Sequence, residues 1–412
     1  MTESTVVQAG PVALGIASRK LTIALYSAAV FLFWMAQYIY LPTLPTYVQS
    51  RANDLAVVGV VLSMFGLWQA LIRLPLGIAA DWLGWRKPFI LVGLGLAGLG
   101  AWIMGTTGTV NGLMIGRAVT GLSAGAWVPL VVGFSALFPP KEAIKASALL
   151  TLFNSIGRVL ATSVTGSLNG LGGYPLPFFV ATGIAALSII IMATIGEIRR
   201  PPARPSVGGI GRLIVRRDVL VPSLLSAVGQ YAHWAISLGF MLVLVKQLGG
   251  TGVTQSLFAT LSIAMMASGN LWASSVANRI RGQWLVIASF VLMFVGIIIA
   301  AMSSSLFVLA IAQASMGLAQ GIGYPVLMGL SIQHVQDADR STAMGLHQAV
   351  YAIGMFAGPA ASGVLAEAMG LQPMFGVTAV ACLALGLLGA RWLDRGPRII
   401  GDGQRSVEIM RN

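Results

Sequence analysis

Twelve apolar runs follow one another along this chain, parted by short polar links. They cover about 21–43, 55–79, 88–107, 110–137, 143–169, 175–197, 218–245, 253–277, 283–302, 305–333, 342–369 and 372–392. A bilayer core takes roughly 20 residues of helix to cross. Inside it, a helix satisfies all its own backbone hydrogen bonds. The runs therefore predict an all-α membrane protein with 12 transmembrane helices. The tightest links are "GTTGTV" (105–110) and "MSSS" (302–305). The longest, "RRPPARPSVGGIGRLIVRRD" (198–217), has the proline, glycine and arginine of a linker. It follows the sixth run. It predicts an N-terminal six-helix bundle over 1–197 and a C-terminal six-helix bundle with a short tail over 218–412.

Polar residues within the runs recur at helical spacing. Span 5 carries Asn154, Arg158, Thr162, Thr165 and Asn169; span 7 carries Gln230, His233 and Ser237. Span 10 carries Gln313, Gln320 and Tyr324, span 1 Trp34, Gln37 and Tyr38, and span 11 His347, Gln348 and Tyr351. Such residues are costly in lipid and face a bundle interior or a water-filled path. The competing reading is that they only bridge helices.

The two halves repeat. Shifted by 196, Gly121, Leu122, Gly125 and Pro129 meet Gly317, Leu318, Gly321 and Pro325. Shifted by 197, Ile156, Gly157, Gly166 and Leu168 meet Ile353, Gly354, Gly363 and Leu365, and Asp81 meets Asn278. Duplicated bundles often hold a site between them near the midplane.

Composition agrees. Hydrophobic residues make up 57% of the chain and charged residues only 9%, far below the roughly 25% of a soluble domain. The net charge of +13 raises the question of nucleic acid. Its placement answers it. With both termini in the cytoplasm, 20 of the 25 basic residues fall on the cytoplasmic side. Arg51 and Lys246 fall outside, and Arg73, Arg117 and Arg158 lie within spans. This is the positive-inside pattern, so no nucleic-acid partner is expected. The opening residues lack a basic segment ahead of an apolar core, so no cleaved signal peptide is expected. The single Cys382 allows no internal disulfide or cysteine-held metal, and no cofactor is expected.

"GIAADWLGWRK" (77–87) packs charge between spans 2 and 3. Gly77 admits a neighbouring helix, Asp81 can pair with a base or cap a helix, and Arg86 and Lys87 sit at the headgroups. Gly77, Asp81, Gly84, Arg86 and Lys87 fit G-x-x-x-D-x-x-G-x-[RK]-[RK], and the chain resembles a major facilitator superfamily transporter over essentially its whole length. The span 8–9 counterpart is degenerate, with Asn278 in place of the acid and Arg279 and Arg281 keeping the charge. "YLPTLPTY" (40–47), and Arg117 with Gly121, resemble patterns of the 12-helix drug:proton antiporter branch and of proton-coupled members. The span 5 antiporter motif is missing, with Ala161 and Thr162 in place of Gly-Pro. A good copy stands in span 11 at Gly354, Gly358, Pro359 and Gly363.

The resemblance implies two pseudo-symmetric six-helix bundles that rock about a central path lined by spans 1, 4, 7 and 10. It implies gating by Gly77, Asp81, Gly84, Arg86 and Lys87, joined by Arg73, Gly358 and Pro359. The acids of the chain all lie away from mid-span, so Arg117 and Arg158 have no obvious buried carboxylate. An arginine keeps its charge, and at mid-bilayer costs about 3 kcal/mol unless compensated. Arg158, with Arg117, is therefore the candidate site for an anionic part of a substrate. His233 is the candidate proton-coupling group, because an unperturbed histidine titrates near pH 6.5. His347 is a second.

The expected function is secondary transport of a small organic molecule, by rocker-switch alternating access, with efflux resembling the nearest branch. Uptake or exchange of an organic anion is the alternative, and a non-transporting membrane sensor or scaffold is a third. No phosphate-binding loop or Ser–His–acid set marks an enzyme. The expected partners are the substrate, the bilayer and protons. The setting is a bacterial inner membrane and the expected state is a monomer.

Overall fold

The computed structural model describes residues 16–139, 142–196, 207–277, 279–336 and 339–393. Twelve helices are long and apolar enough to cross a membrane: Ser18–Ala52, Leu55–Ala80, Lys87–Thr107, Val110–Ser135, Lys145–Gly172, Pro175–Thr194, Arg217–Gln247, Gly252–Val276, Gly282–Met302, Leu306–Ile332, Thr342–Met369 and Leu371–Ala390. They are called spans 1 to 12 in this order.

The short links make abrupt helix ends. Asp54 Oδ1 accepts from the backbone N–H of Ala56 and Val57 at 2.7 and 3.1 Å, capping span 2. Thr109 caps span 4 in the same way through Gly112, and Thr251 with Thr254 forms a capping box on span 8. Gly84 and Gly108 close spans 2 and 3 at φ 66° and 56°, the left-handed region that glycine enters at no steric cost.

Two elements depart from the sequence reading. Span 1 was expected to end near 43, yet it runs on through a 3₁₀ turn, Leu41–Thr43, and a short helix, Leu44–Ala52. Pro42 and Pro45 stand in the first turns of these pieces, where a missing N–H breaks no helical bond. The expected linker contains a helix, Val207–Ile214, whose Leu213 packs under Val219, Val335, Ala343 and Leu346. Arg216 then donates to Asp218 Oδ2 at 2.5 Å and to the His334 carbonyl at 2.9 Å.

Packing repeats with a period of six spans. Span 1 packs on 5 and 6, span 3 on 4 and 6, and span 2 on 4. Span 7 packs on 11 and 12, span 9 on 10 and 12, and span 8 on 10. These are two pseudo-symmetric six-helix bundles. They meet along two seams, span 2 against span 11 and span 5 against span 8.

Glycines let the seam backbones touch. A Cβ on Gly59 would strike Pro359 and Gly363 of span 11, and one on Gly66 would strike Met355 and Phe356. A Cβ on Gly166 of span 5 would strike Gly252 and Val253 of span 8. Four side-chain hydrogen bonds tie the bundles together from mid-span towards the end away from the termini. They join Thr46 to Gln255 at 3.2 Å, Thr162 to Thr260 at 2.9 Å, Gly166 N–H to Ser256 at 2.6 Å, and Leu55 N–H to Glu367 at 2.7 Å. That end is sealed.

Candidate substrate site

Three arginines stand inside the membrane-spanning part. Arg158 of span 5 is half-buried. Its Cζ lies 4.3 Å from the Tyr38 ring centroid and 5.9 Å from that of Trp34, both on span 1. Trp34 in turn meets Trp127 of span 4 edge-on at 5.2 Å. Asn154 lies one helical turn before Arg158, on the same face. Among the described residues, Arg158 Nε, Trp34 Nε1 and Asn154 Oδ1 are buried without a hydrogen-bond partner.

Arg117 is only 1% exposed. Its Cζ lies 4.6 Å from the Phe65 ring of span 2. Phe65 stacks at 5.2 Å on Trp234 of span 7, so this cation reaches the second bundle through two rings. Tyr40 and Tyr38 are its electrostatic neighbours.

Arg73 was expected at the cytoplasmic gate. It is 3% exposed, and its Nη1 donates to Tyr351 Oη at 2.7 Å, across the seam between spans 2 and 11. Tyr351 meets Tyr324 and His347 edge-on at 5.6 and 5.8 Å. His347 Nδ1 is 3.0 Å from Ser223 Oγ of span 7. One gate candidate and two substrate candidates thus form a single cross-bundle cluster.

Among the described residues, no acid is paired with these arginines. Asp54 and Glu367 bind the start of span 2, Glu142 pairs with Arg19 at 3.1 Å, and Asp218 pairs with Arg216. The side chain of Asp81 lies outside the described residues, and so does Asn278. Of the other expected gate residues, Gly77 touches Val128 of span 4, and Gly358 lies against the backbone of Tyr231. Lys87 Nζ donates to the carbonyls of Ala193 and Ile195, so it closes the end of span 6.

Several stripe residues are helix bridges. Gln37 Nε2 donates to Ser123 Oγ at 3.1 Å and the Thr120 carbonyl at 3.3 Å. Gln313, fully buried, donates to the carbonyls of Ser237 and Phe258 at 2.9 and 3.2 Å. Both amide N–H groups bridge helices within a bundle, while Gln37 Oε1 and Gln313 Oε1 have no partner among the described residues. Gln320 lies with Tyr324 beside Ser226, Gly229 and Ser289, in a cavity inside the second bundle. Gln313→Leu is expected to lower stability by about 1–2 kcal/mol, the range of interhelical hydrogen bonds in membranes, while ligand affinity stays unchanged. Melting in detergent, with and without ligand, checks both halves of that statement.

His233 is 3% exposed, with Nδ1 unpartnered among the described residues and Arg158 as its charged neighbour. It opens a π-helical segment, His233–Phe240, in the middle of span 7. The wider turn frees the Ser237 carbonyl region for Gln313 and sets Trp234 against Phe65. Gln230 and Gln348 are buried at 7% and 8% exposure, and Gln348 Oε1 has no partner among the described residues.

Sequence reasoning missed Phe65, Trp127 and Trp234, because aromatic residues in an apolar run look like lipid-facing or packing positions. Their signal was local: Trp234 adjoins His233, and Trp127 closes a glycine-rich stretch of span 4. It also missed Thr46 and Gln255 in the far-end seal.

A family model described as Major Facilitator Superfamily matches residues 26–244 and again 223–404. An uncharacterised MFS-type transporter, MJ1560 of Methanocaldococcus jannaschii, is 21% identical over 391 residues, covering 89% of this chain and 98% of its own. The quinolone resistance protein NorA of Staphylococcus aureus is 26% identical over 163 residues, 39% of this chain and 42% of its own. Among solved structures, a bacterial homologue of the human lysosomal transporter Spinster, inward-facing and unoccupied, has a TM-score of 0.75 at 15% identity, over 91% of this chain and 97% of its own.

Proposed function

The chain belongs to the major facilitator superfamily, and from that premise we propose that it carries a small organic anion across the membrane by alternating access. The observation that supports this is Arg158, a half-buried cation with a free Nε and no described carboxylate beside it. A carboxylate cargo offers two parallel charge-assisted bonds to a guanidinium. It would offset the roughly 3 kcal/mol that a central arginine costs.

Two states are needed for alternating access. The sealed far end is one. The other follows from rocking about the seams, with spans 5 and 8 parting and the end that carries the termini closing. In this reading both termini are cytoplasmic, which the positive-inside charge supports, the setting is a bacterial inner membrane, and 198–217 links bundles that work as a monomer. Export is the direction we assign, because the stretch shared with NorA lies in a quinolone resistance protein. A coupled proton would sit on His233, the histidine beside Arg158.

Melting in detergent against a panel of organic anions and lipophilic cations tests the reading. A ligand at 100 times its Kd adds about 2.7 kcal/mol of stability, a readily measured shift. Stabilisation by anions is expected. Stabilisation by cations alone would overturn the assignment of Arg158 to cargo.

A further inference from the structure

The surroundings of Arg158 narrow the cargo further, given the anion reading above. We infer that the substrate is an aromatic monocarboxylate, held by Arg158 at its carboxylate and by the Trp34–Trp127 wall at its ring.

The single charge follows from how the three arginines are occupied. Arg73 spends Nη1 on Tyr351 across the seam. Arg117 is 1% exposed and lies over Phe65. Only Arg158 combines partial exposure with an unpartnered Nε. One available guanidinium carries one positive charge and balances one carboxylate, whereas a phosphate dianion would leave a negative charge unpaired in the membrane.

The aromatic body follows from what stands around that guanidinium. Tyr38 covers one of its faces at 4.3 Å, which leaves the edge, where the N–H groups point, for the anion. Trp34 lies 5.9 Å from the same Cζ and turns its ring towards Trp127 at 5.2 Å. Both tryptophans are half-buried, so their rings are not fully covered by the chain. The buried, unpartnered Trp34 Nε1 adds a second donor next to the first. Two donors beside partly exposed indoles match a flat anion: carboxylate towards the donors, aryl ring against the exposed part of the indoles. Ring pairs favour offset or edge contact, and this preference acts beyond the area buried. A saturated ring of equal size gains the area and loses the quadrupole contact.

Benzoate and cyclohexanecarboxylate have the same charge and nearly the same size, and benzamide has the same ring without the charge. Their Kd values for the full-length protein, read from melting shifts and indole fluorescence, test the inference. The expected result is benzoate binding about tenfold tighter than cyclohexanecarboxylate, the worth of one to two aromatic contacts. Trp34→Leu should remove that preference and keep cyclohexanecarboxylate affinity within about threefold, and Trp34→Phe should restore much of it. Trp127→Leu repeats the test on the second ring, in case the first variant folds poorly. Equal affinity for the two carboxylates would overturn the aromatic assignment and leave the anion reading standing. Benzamide binding as tightly as benzoate, or carboxylate affinity untouched by Arg158→Ala, would overturn the anion reading itself.

Discussion

Arg158→Ala is expected to weaken anion binding at least 100-fold and to stop transport, while the protein stays folded. Removing one partner of a desolvated, hydrogen-bonded charge pair costs about 2–5 kcal/mol, and 2.7 kcal/mol is 100-fold. The apo protein should lose little. Its arginine gains about 0.5–2 kcal/mol from the Tyr38 and Trp34 rings, against a burial cost of about 3 kcal/mol. Those terms nearly cancel, so the melting temperature without ligand should hold or rise slightly. Arg158→Lys keeps the charge and loses the two-pronged contact, so it should fall between the two. Radiolabelled anion uptake into proteoliposomes, paired with melting curves, reads both effects. An alanine variant that melts far lower and still binds anions would make Arg158 a structural residue.

Gly166→Leu is expected to shift the carrier out of its far-end-sealed state by roughly 100-fold. The added side chain meets the backbone of Gly252 and Val253, which cannot turn aside as a flexible side chain could. Overpacking of this kind costs about 1–3 kcal/mol. The cost falls only on the state in which spans 5 and 8 touch there, and 2.7 kcal/mol of bias is about 100-fold in population. Asn169 lies one turn further along the same seam, with its amide 3.7 Å from the place of a Cβ on Gly252. In a Cys382→Ala background, a cysteine at Asn169 should react with a membrane-impermeant maleimide added outside, and should do so much faster when Gly166→Leu is present. Gly170→Leu makes the same change where a Cβ meets nothing within 4 Å, so it should alter neither labelling nor transport. Unchanged labelling in Gly166→Leu would mean that the seam is static and that the bundles do not part there.

Most of the architecture could be read from the chain because the bilayer sets a single length scale. Eleven of the twelve expected spans end within about three residues of the observed ones, since apolar length and a capping residue decide a helix end in lipid. Span 1 runs nine residues past its expected end because Pro42 and Pro45 stand in the first turns of its last two pieces, where they are tolerated. The helix over Val207–Ile214 was missed because glycine and arginine dominate a segment held mainly by tertiary contact through Leu213.

The site was less legible. A polar stripe at helical spacing says that a face avoids lipid. It does not say whether that face meets a carbonyl, as Gln37 and Gln313 do, or aromatic rings, as Arg158 does. Arg73 stands two turns from Asp81 along one helix, while its hydrogen-bond partner Tyr351 is 278 residues away in sequence, where periodicity does not reach. Phe65 and Trp234 carry no polarity for periodicity to detect, yet they join the two bundles at Arg117.

If the cargo is the anion proposed above, the surroundings of Arg158, free of carboxylates among the described residues, also bear on what the carrier does to voltage. A guanidinium that stays at mid-membrane moves no charge of its own when the bundles rock. When no proton moves through His233 in the same cycle, each crossing of a monoanion displaces one negative charge. A membrane potential acts on that charge with about 2.3 kcal/mol per 100 mV, equivalent to about a 50-fold concentration ratio. In a cell that is negative inside, the resting potential alone then pushes the anion outwards, and the electric field becomes the motor.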